Sequence, residues 1–176
     1  MKVKTILSTL LMFCGFLFSP FALAHGGVQE SAGLTAGFLH PATGFDHIVV
    51  AVIAGLWAAH SCRHCALCVA GFLLMMLTGS LLGLGGLALS HVDTLSVITV
   101  ITVGLVIALS IILPAISKYL VFGGFAFYYG FLHIIELTGP ASTPAFIFGM
   151  LSSTGLLMAF GVVLRQVIAT RPALLR

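Results

Sequence analysis

Two histidines and a carboxylate lie inside an apolar stretch near the start of the chain. The stretch FLHPATGFDHIVVAVIAGLW, residues 38–57, contains His40, Asp46 and His47. Ionisable groups at membrane depth cost about 2.5–3.5 kcal/mol each on insertion scales, so each one indicates a function. Imidazole nitrogens with carboxylate oxygens suit Ni²⁺, Co²⁺, Zn²⁺ or Fe²⁺ better than Mg²⁺ or Ca²⁺. The stretch predicts a transition-metal site, and a proton relay through the same groups is the alternative.

Asp46 also has a purely structural interpretation. Thr43 and Asp46 have the spacing of a capping box before an apolar run. On this interpretation Asp46 caps a helix that starts at Phe45 and takes no part in metal binding.

The same stretch predicts a helix break between His40 and Gly44. Pro41 has no N–H and disfavours helical geometry at His40. Irregular backbone at membrane depth is tolerated only inside the protein or beside a water-filled cavity, and transporters place such breaks at their substrate sites. We therefore expect residues 31–39 to form a half-helix and residues 45–59 to complete the first span.

More residues of the same types occur later in the chain. His133 and Glu136 are three residues apart, which places them on one helix face together with Tyr129. We predict that His133 and Glu136 bind metal together with His40, Asp46 and His47. Further candidates are expected on the same outer side of the membrane: His25, His91 and Asp93.

A second cluster, HSCRHCALC at residues 60–68, has five potential ligands. Thiolates bind soft or borderline metals strongly, so the segment could be an exit or acceptor site for metal. Its predicted location is the cytoplasm, where thiols stay reduced and disulfides are rare. The alternative is that the cysteines are small apolar residues at the start of a span. The five are His60, Cys62, His64, Cys65 and Cys68, of which the last four are the ligand candidates.

The composition requires a membrane protein. Of 176 residues, 60% are hydrophobic and only 6% are charged, whereas soluble domains average about 25% charged residues. No ordinary water-facing surface can be built from this material, and the sparse, scattered basic residues exclude a nucleic-acid partner. The expected partners are membrane lipid, the metal ion and, as an option, further copies of the chain.

Residues 1–24 have the pattern of a secretory signal peptide. Lys2 and Lys4 precede an apolar run, and Ala22-Leu23-Ala24 is a small-x-small cleavage sequence. We predict a mature N-terminus at His25 on the outer side, followed by a single transmembrane domain over residues 25–176. An uncleaved first span is the alternative.

Four later stretches have the length of membrane helices: residues 66–89, 94–113, 119–137 and 144–167. With the interrupted first span, the prediction is an all-α transmembrane bundle of five spans. An external N-terminus then places every basic residue of the mature chain in the cytoplasm, as the positive-inside rule requires. Those residues are Arg63, Lys118, Arg165, Arg171 and Arg176.

Two pairs of glycines have the small-xxx-small spacing that allows close helix contact. They are Gly33 with Gly37 and Gly79 with Gly83. Packing inside one bundle is the favoured interpretation, and contact between copies in a homo-oligomer is the alternative.

The motif HPxxGxDH at residues 40–47, followed by GLW at residues 55–57, closely resembles the signature of the HupE/UreJ family. Those are small bacterial membrane proteins associated with hydrogenase and urease and regarded as nickel or cobalt permeases. The resemblance covers nearly the whole mature chain. It assigns His40, Asp46 and His47 to the metal motif. It also points to His133 and Glu136, which match the later part of a second pattern, His-Gly-x-x-His-x-x-Glu.

This chain departs from the family pattern at three positions. Tyr129 stands where the second pattern has its first histidine, Ala51 replaces a common methionine, and Met158 replaces a histidine of the last span. The chain lacks two imidazoles of the family pattern, which weakens the expectation of selectivity for nickel. The thioether of Met158 either favours softer ions or only fills space.

Together these features predict a non-enzymatic secondary permease in the bacterial inner membrane, with a periplasmic N-terminus and a cytoplasmic C-terminus. It would take up nickel or cobalt as cargo, without a tightly bound cofactor. The sequence has no nucleotide-binding motif, so a membrane potential or proton gradient would drive uptake. The alternative is a metal-binding accessory protein for hydrogenase or urease maturation that transports nothing.

Overall fold

The chain is helical in the part described by a computed structural model, which covers residues 33–85, 113–135 and 143–170. The predicted signal peptide and nearly all of the predicted span 94–113 lie outside these residues. Five helices are described: α1 (Leu34–Thr43), α2 (Phe45–Ser61), α3 (Cys65–Gly83), α4 (Ala115–Ile135) and α5 (Thr143–Ala169). They divide between two compact units. The first unit contains α1, α2 and α5, and the second contains α4 and all but the first residue of α3.

The first predicted span is interrupted, as the sequence indicates. α1 ends at Thr43, and α2 begins at Phe45 after a single extended residue, Gly44, with φ −80° and ψ 116°. The axes of the two helices differ by 80°. The half-helix and the break are therefore confirmed.

Pro41 does not end the helix, so this part of the prediction is wrong. It lies inside α1, which continues to Thr43. A proline removes one backbone hydrogen bond, and the loss is small in the last turn of a short helix. The hydroxyl of Thr43 donates to the carbonyl of Leu39 at 2.9 Å and adds a hydrogen bond at the end of α1.

The proposed capping box is also wrong. The N-cap of α2 is Gly44, which has no side chain to offer, and the Thr43 hydroxyl donates within α1. Asp46 is the second residue of α2.

In the first unit, α5 packs against both halves of the broken span through glycines. A Cβ atom at Gly37 of α1 would overlap the backbone of Phe146, and one at Gly55 of α2 would overlap the backbone of Met158. Two glycines of α5 make the same kind of contact: Gly149 meets the backbone of α1, and Gly161 meets the backbone of α2. Small residues at such crossings let the backbones touch, which is how many membrane helices pack.

The contacts also give the relative direction of α2 and α5. Gly55 meets Met158, and further along both helices a guanidinium nitrogen of Arg165 lies 3.5 Å from Nδ1 of His60. Because both helices advance together between these contacts, they run in the same direction. A five-span topology requires this of its first and fifth spans.

In the second unit, α3 and α4 also run in the same direction. The contacts advance together from Phe72 with Phe122, whose ring centroids are 5.0 Å apart, to Gly79, which meets the Phe127 backbone. These parallel directions are the ones that the predicted topology demands of its second and fourth spans. The close approach of Gly79 also supports packing within the chain as the role of the Gly79 and Gly83 pair.

Among the described helices, three are long and apolar enough to cross a membrane, and the bent α1–α2 pair adds a fourth if it forms one span. The three stretches are Cys65–Gly83, Ile116–Ile135 and Pro144–Ala169. Leu67 and Leu120 are 70% and 71% exposed, which suits contact with lipid. α4 begins at Ala115, directly after Pro114, which is four residues before the predicted start at Tyr119.

Candidate metal centre

His40 and His47 face each other across the helix break. His40 lies in the last turn of α1 and His47 in the first turn of α2. Their ring centroids are 5.0 Å apart at an interplanar angle of 55°, and one nitrogen of each lies within 4.8 Å of the other. Two imidazole nitrogens bound to one metal lie at most about 4.2 Å apart. A small side-chain rotation is therefore enough for both to bind the same ion.

The pair is held inside the protein. The Nε2 atom of His40 and the Nδ1 atom of His47 are both buried, although each residue is half-buried as a whole. The His40 ring also contacts Phe146 of α5, with ring centroids 5.8 Å apart. α5 thus supports both halves of the pair, through its glycine contacts with α1 and α2 and through this aromatic contact.

His133 has a defined tautomer in the second unit. Its Nδ1 lies 2.7 Å from the carbonyl oxygen of Tyr129, one turn earlier on α4. A carbonyl can only accept, so Nδ1 carries the hydrogen, and in the neutral ring the lone pair is on Nε2. The Tyr129 ring packs edge-on against the imidazole at 4.2 Å, and His133 is 2% exposed. An imidazole oriented through one nitrogen, with a lone pair on the other, is the usual arrangement of a metal ligand.

Several predicted ligands lie outside the described residues. The structure places the backbone of Asp46 at the start of α2, but its side chain belongs to the part that is not described. Four other candidates lie wholly outside: Glu136, His25, His91 and Asp93. The metal-binding roles of all five stay predictions.

The cysteine segment differs from the prediction. Cys62 and Cys68 are disulfide-bonded, whereas Cys65 is a free, half-buried thiol. The expectation that these cysteines stay reduced is therefore wrong for Cys62 and Cys68. The prediction used the cellular compartment alone, while bond formation depends on how closely the folded chain brings sulfur atoms together. A disulfide sulfur offers no thiolate, so within this segment only Cys65 has a thiol for metal in this state.

The histidines of that segment are also poorly placed to bind metal. His64 is exposed between α2 and α3. Nδ1 of His60 lies 3.5 Å from the Arg165 guanidinium, which can only donate, so Nδ1 accepts and Nε2 carries the hydrogen. The neutral His60 ring then has no second lone pair for a metal, and its contact favours a structural role.

Sequence reasoning missed the importance of α5. This helix provides Phe146 against His40 and two of the glycines that fix the broken span. Met158, where the family pattern has histidine, is fully buried and has its backbone against Gly55. The glycines of α5 were a visible signal, but the sequence did not reveal which helix each one meets.

The chain is also similar to known proteins. A family model described as HupE / UreJ protein matches residues 11–176, a range that includes every described helix. Protein HupE of Rhizobium leguminosarum bv. viciae is 32% identical over 162 residues, which cover 92% of this chain and 81% of that protein. No solved structure matches the chain.

Proposed function

The chain belongs to the HupE/UreJ family, and on that premise we propose that it is a secondary uptake permease for a divalent transition-metal cation, with nickel or cobalt as the cargo. The single observation that carries the proposal is the pair of buried imidazole nitrogens of His40 and His47 at the break in a membrane helix. Transporters place discontinuous helices at their substrate sites.

The donor set suits a borderline metal. Neutral imidazoles are good ligands for nickel, cobalt and zinc, whereas calcium and magnesium prefer oxygen. Imidazoles alone leave the two positive charges of the ion uncompensated in a medium of low dielectric constant. For this reason we propose that Asp46 supplies a carboxylate beside His47, and that α4 and the residues after it contribute His133 and Glu136 as further donors for the cation.

The direction of transport follows from the charges. With the N-terminus outside, the break lies towards the outer side of the inner membrane, and Arg63 and Arg165 lie inside. The parallel directions of α2 with α5 and of α3 with α4 support this five-span arrangement. The cation would enter from the periplasm and leave towards the cytoplasm.

Uptake of labelled Ni²⁺ and Co²⁺ into proteoliposomes tests the proposal. We expect time-dependent uptake by the wild type, strongly reduced uptake by His40→Ala and His47→Ala, and normal uptake by the matched control His64→Ala, which alters an exposed histidine outside the pair. Metal binding without uptake would replace the permease with a metal-binding accessory protein.

Reporter fusions test the orientation separately. A reporter fused after Arg176 should be cytoplasmic, and one inserted near Pro140 should be periplasmic. Reporters on the same side would contradict the five-span topology.

A further inference from the structure

α5 carries a row of buried side chains at four-residue intervals. The row consists of Phe146, Met150, Thr154 and Met158, each at most 4% exposed. Residues four apart are neighbours on a helix, and each step moves about 40° around the axis and about 6 Å along it. The row begins at Phe146, which contacts His40 of the histidine pair.

Thr154 is the polar member of the row, and its hydroxyl behaves differently from others in the described helices. A hydroxyl on a helix often donates to a carbonyl three or four residues earlier. Thr154 is 0% exposed, yet its Oγ1 has no hydrogen-bond partner within the described residues. Five other hydroxyls in these helices or at their ends do donate in this way: Thr43, Thr78, Ser80, Ser152 and Thr170.

The position of Thr154 on α5 relates it to the helix break. α1 crosses α5 at Phe146 and Gly149, and α2 crosses it at Met158 and Gly161. Thr154 lies between these crossings, roughly 6–8 Å along the axis from the nearer residue of each. Because α2 runs parallel to α5 and its Gly55 meets Met158, Thr154 is level with the residue four positions before Gly55, about 6 Å further along α2 than His47.

We propose that the Thr154 hydroxyl is a transient oxygen ligand for the transported cation, directly or through its hydration shell, on the inward side of the histidine pair. This inference rests on the proposed permease function. A buried polar atom without a partner among the described residues needs another partner, and a partly hydrated divalent cation supplies one.

The weakness of a hydroxyl ligand is what this position requires. Conduction needs binding that is favourable enough for entry and weak enough for release. The imidazoles of His40 and His47 are strong donors for a borderline metal, whereas the Thr154 hydroxyl and the neighbouring thioethers of Met150 and Met158 are weak ones. A cation that leaves the histidines along this row would meet weaker ligands.

The substitution Thr154→Val separates this role from a structural one, because valine keeps the shape and removes only the hydroxyl. Loss of a buried oxygen without a partner should leave thermal stability unchanged or raise it. Equilibrium Ni²⁺ affinity, set by the histidine pair, should stay at the wild-type value. The initial rate of Ni²⁺ uptake into proteoliposomes should fall about fivefold, the factor expected from losing one contact of hydrogen-bond strength.

The controls use the same chemistry elsewhere. Thr78→Val removes a hydroxyl that donates to the Met75 carbonyl on α3, and it should not change uptake. Thr154→Ser keeps the hydroxyl and should retain most of the wild-type rate. If Thr154→Val does not fold, Thr154→Ser and Thr154→Ala carry the test, and equal uptake by that pair would overturn the inference.

The outcomes distinguish this inference from the function on which it rests. Wild-type uptake rates in Thr154→Val, alongside an active wild-type protein, would overturn the role of Thr154 and leave the permease intact. Absence of Ni²⁺ and Co²⁺ uptake by the wild type would overturn both. A reduced rate with unchanged affinity, restored in Thr154→Ser, supports the inference.

Discussion

The histidine pair at the α1–α2 break and the cysteine segment at residues 60–68 both carry metal-binding side chains, but the protein treats them differently. His40 and His47 have buried nitrogens within 4.8 Å of each other, on two helices that α5 holds by close backbone contact. In the cysteine segment, Cys62 and Cys68 are oxidised and His64 is exposed. Ligand-type residues close together in sequence do not by themselves make a site.

The difference lies in how much of the binding geometry exists before the metal arrives. An imidazole already packed between helices loses little side-chain freedom on binding, whereas an exposed one must be ordered at that moment. Two disulfide-bonded sulfurs must also be reduced before they can bind metal as thiolates. We therefore expect the site of higher metal affinity at the break. In the cysteine segment we expect at most a site that forms after reduction.

The largest effect should come from removing a member of the pair. His47→Ala deletes an imidazole with a buried nitrogen, and on the proposed function Ni²⁺ affinity should fall about 100-fold, or about 2.7 kcal/mol. His64→Ala deletes an exposed imidazole and should leave the affinity unchanged. Calorimetric titration of both purified variants, at matched thermal stability, makes the comparison. Equal affinities in the two variants would remove the distinction between the regions.

The next effect tests whether α5 preorganises the pair. Gly55→Ala places a methyl group against the Met158 backbone, and overpacking of this kind costs about 1–3 kcal/mol. Gly124→Ala on α4 meets nothing within 4 Å and should be neutral or stabilising, because alanine is the better helix former. Thermal unfolding in detergent gives the stabilities. A Gly55→Ala protein as stable as Gly124→Ala would show that this crossing is looser than described.

Asp46→Asn is expected to have a smaller effect on binding than loss of His47. A carboxylate ligand contributes a full charge, so its neutral amide should reduce Ni²⁺ affinity at least about tenfold, or ~1.4 kcal/mol. The N-cap of α2 is Gly44, so the stability should change only by the loss of a charge near a helix N-terminus, about 0.3–1 kcal/mol. Wild-type affinity in this variant, again by calorimetry, would leave Asp46 outside the site.

The smallest effect on equilibrium binding should come from the cysteines. Replacing Cys62, Cys65 and Cys68 together with serine should leave Ni²⁺ affinity at the histidine pair unchanged, because their sulfurs are not its ligands. Delivery of metal into the cytoplasm should fall if the segment is an acceptor. Unchanged delivery would identify the cysteines as structural.

Maleimide labelling with mass spectrometry tests the oxidation state on which this part of the comparison depends. Before reduction, Cys65 should be the labelled cysteine of the segment, and Cys62 and Cys68 should react only after a reductant is added. Labelling of all three without reductant would restore the reduced cluster that the predicted cytoplasmic location implies.

Much of the fold and part of the site were predictable from local sequence. Hydropathy indicated the membrane helices, because transfer into lipid depends on the composition of about twenty successive residues. The break near Gly44 and the importance of His40 and His47 were visible because polar and helix-disfavouring residues are rare in such stretches. Pro41 was misjudged, since the cost of a proline depends on where the helix ends, and its neighbours did not reveal that end.

The amino-acid sequence by itself determined the class of the protein, the polar residues that membrane burial makes costly, and the distribution of basic residues. Tertiary structure decided that α5 supports both halves of the broken span, that His60 contacts Arg165 from 105 residues away, and that Cys62 and Cys68 are oxidised. It also decided that Nδ1 of His133 donates to the carbonyl of Tyr129. The physical reason is that transfer free energies add up along the chain, whereas ligand geometry depends on contacts between segments that local composition does not encode.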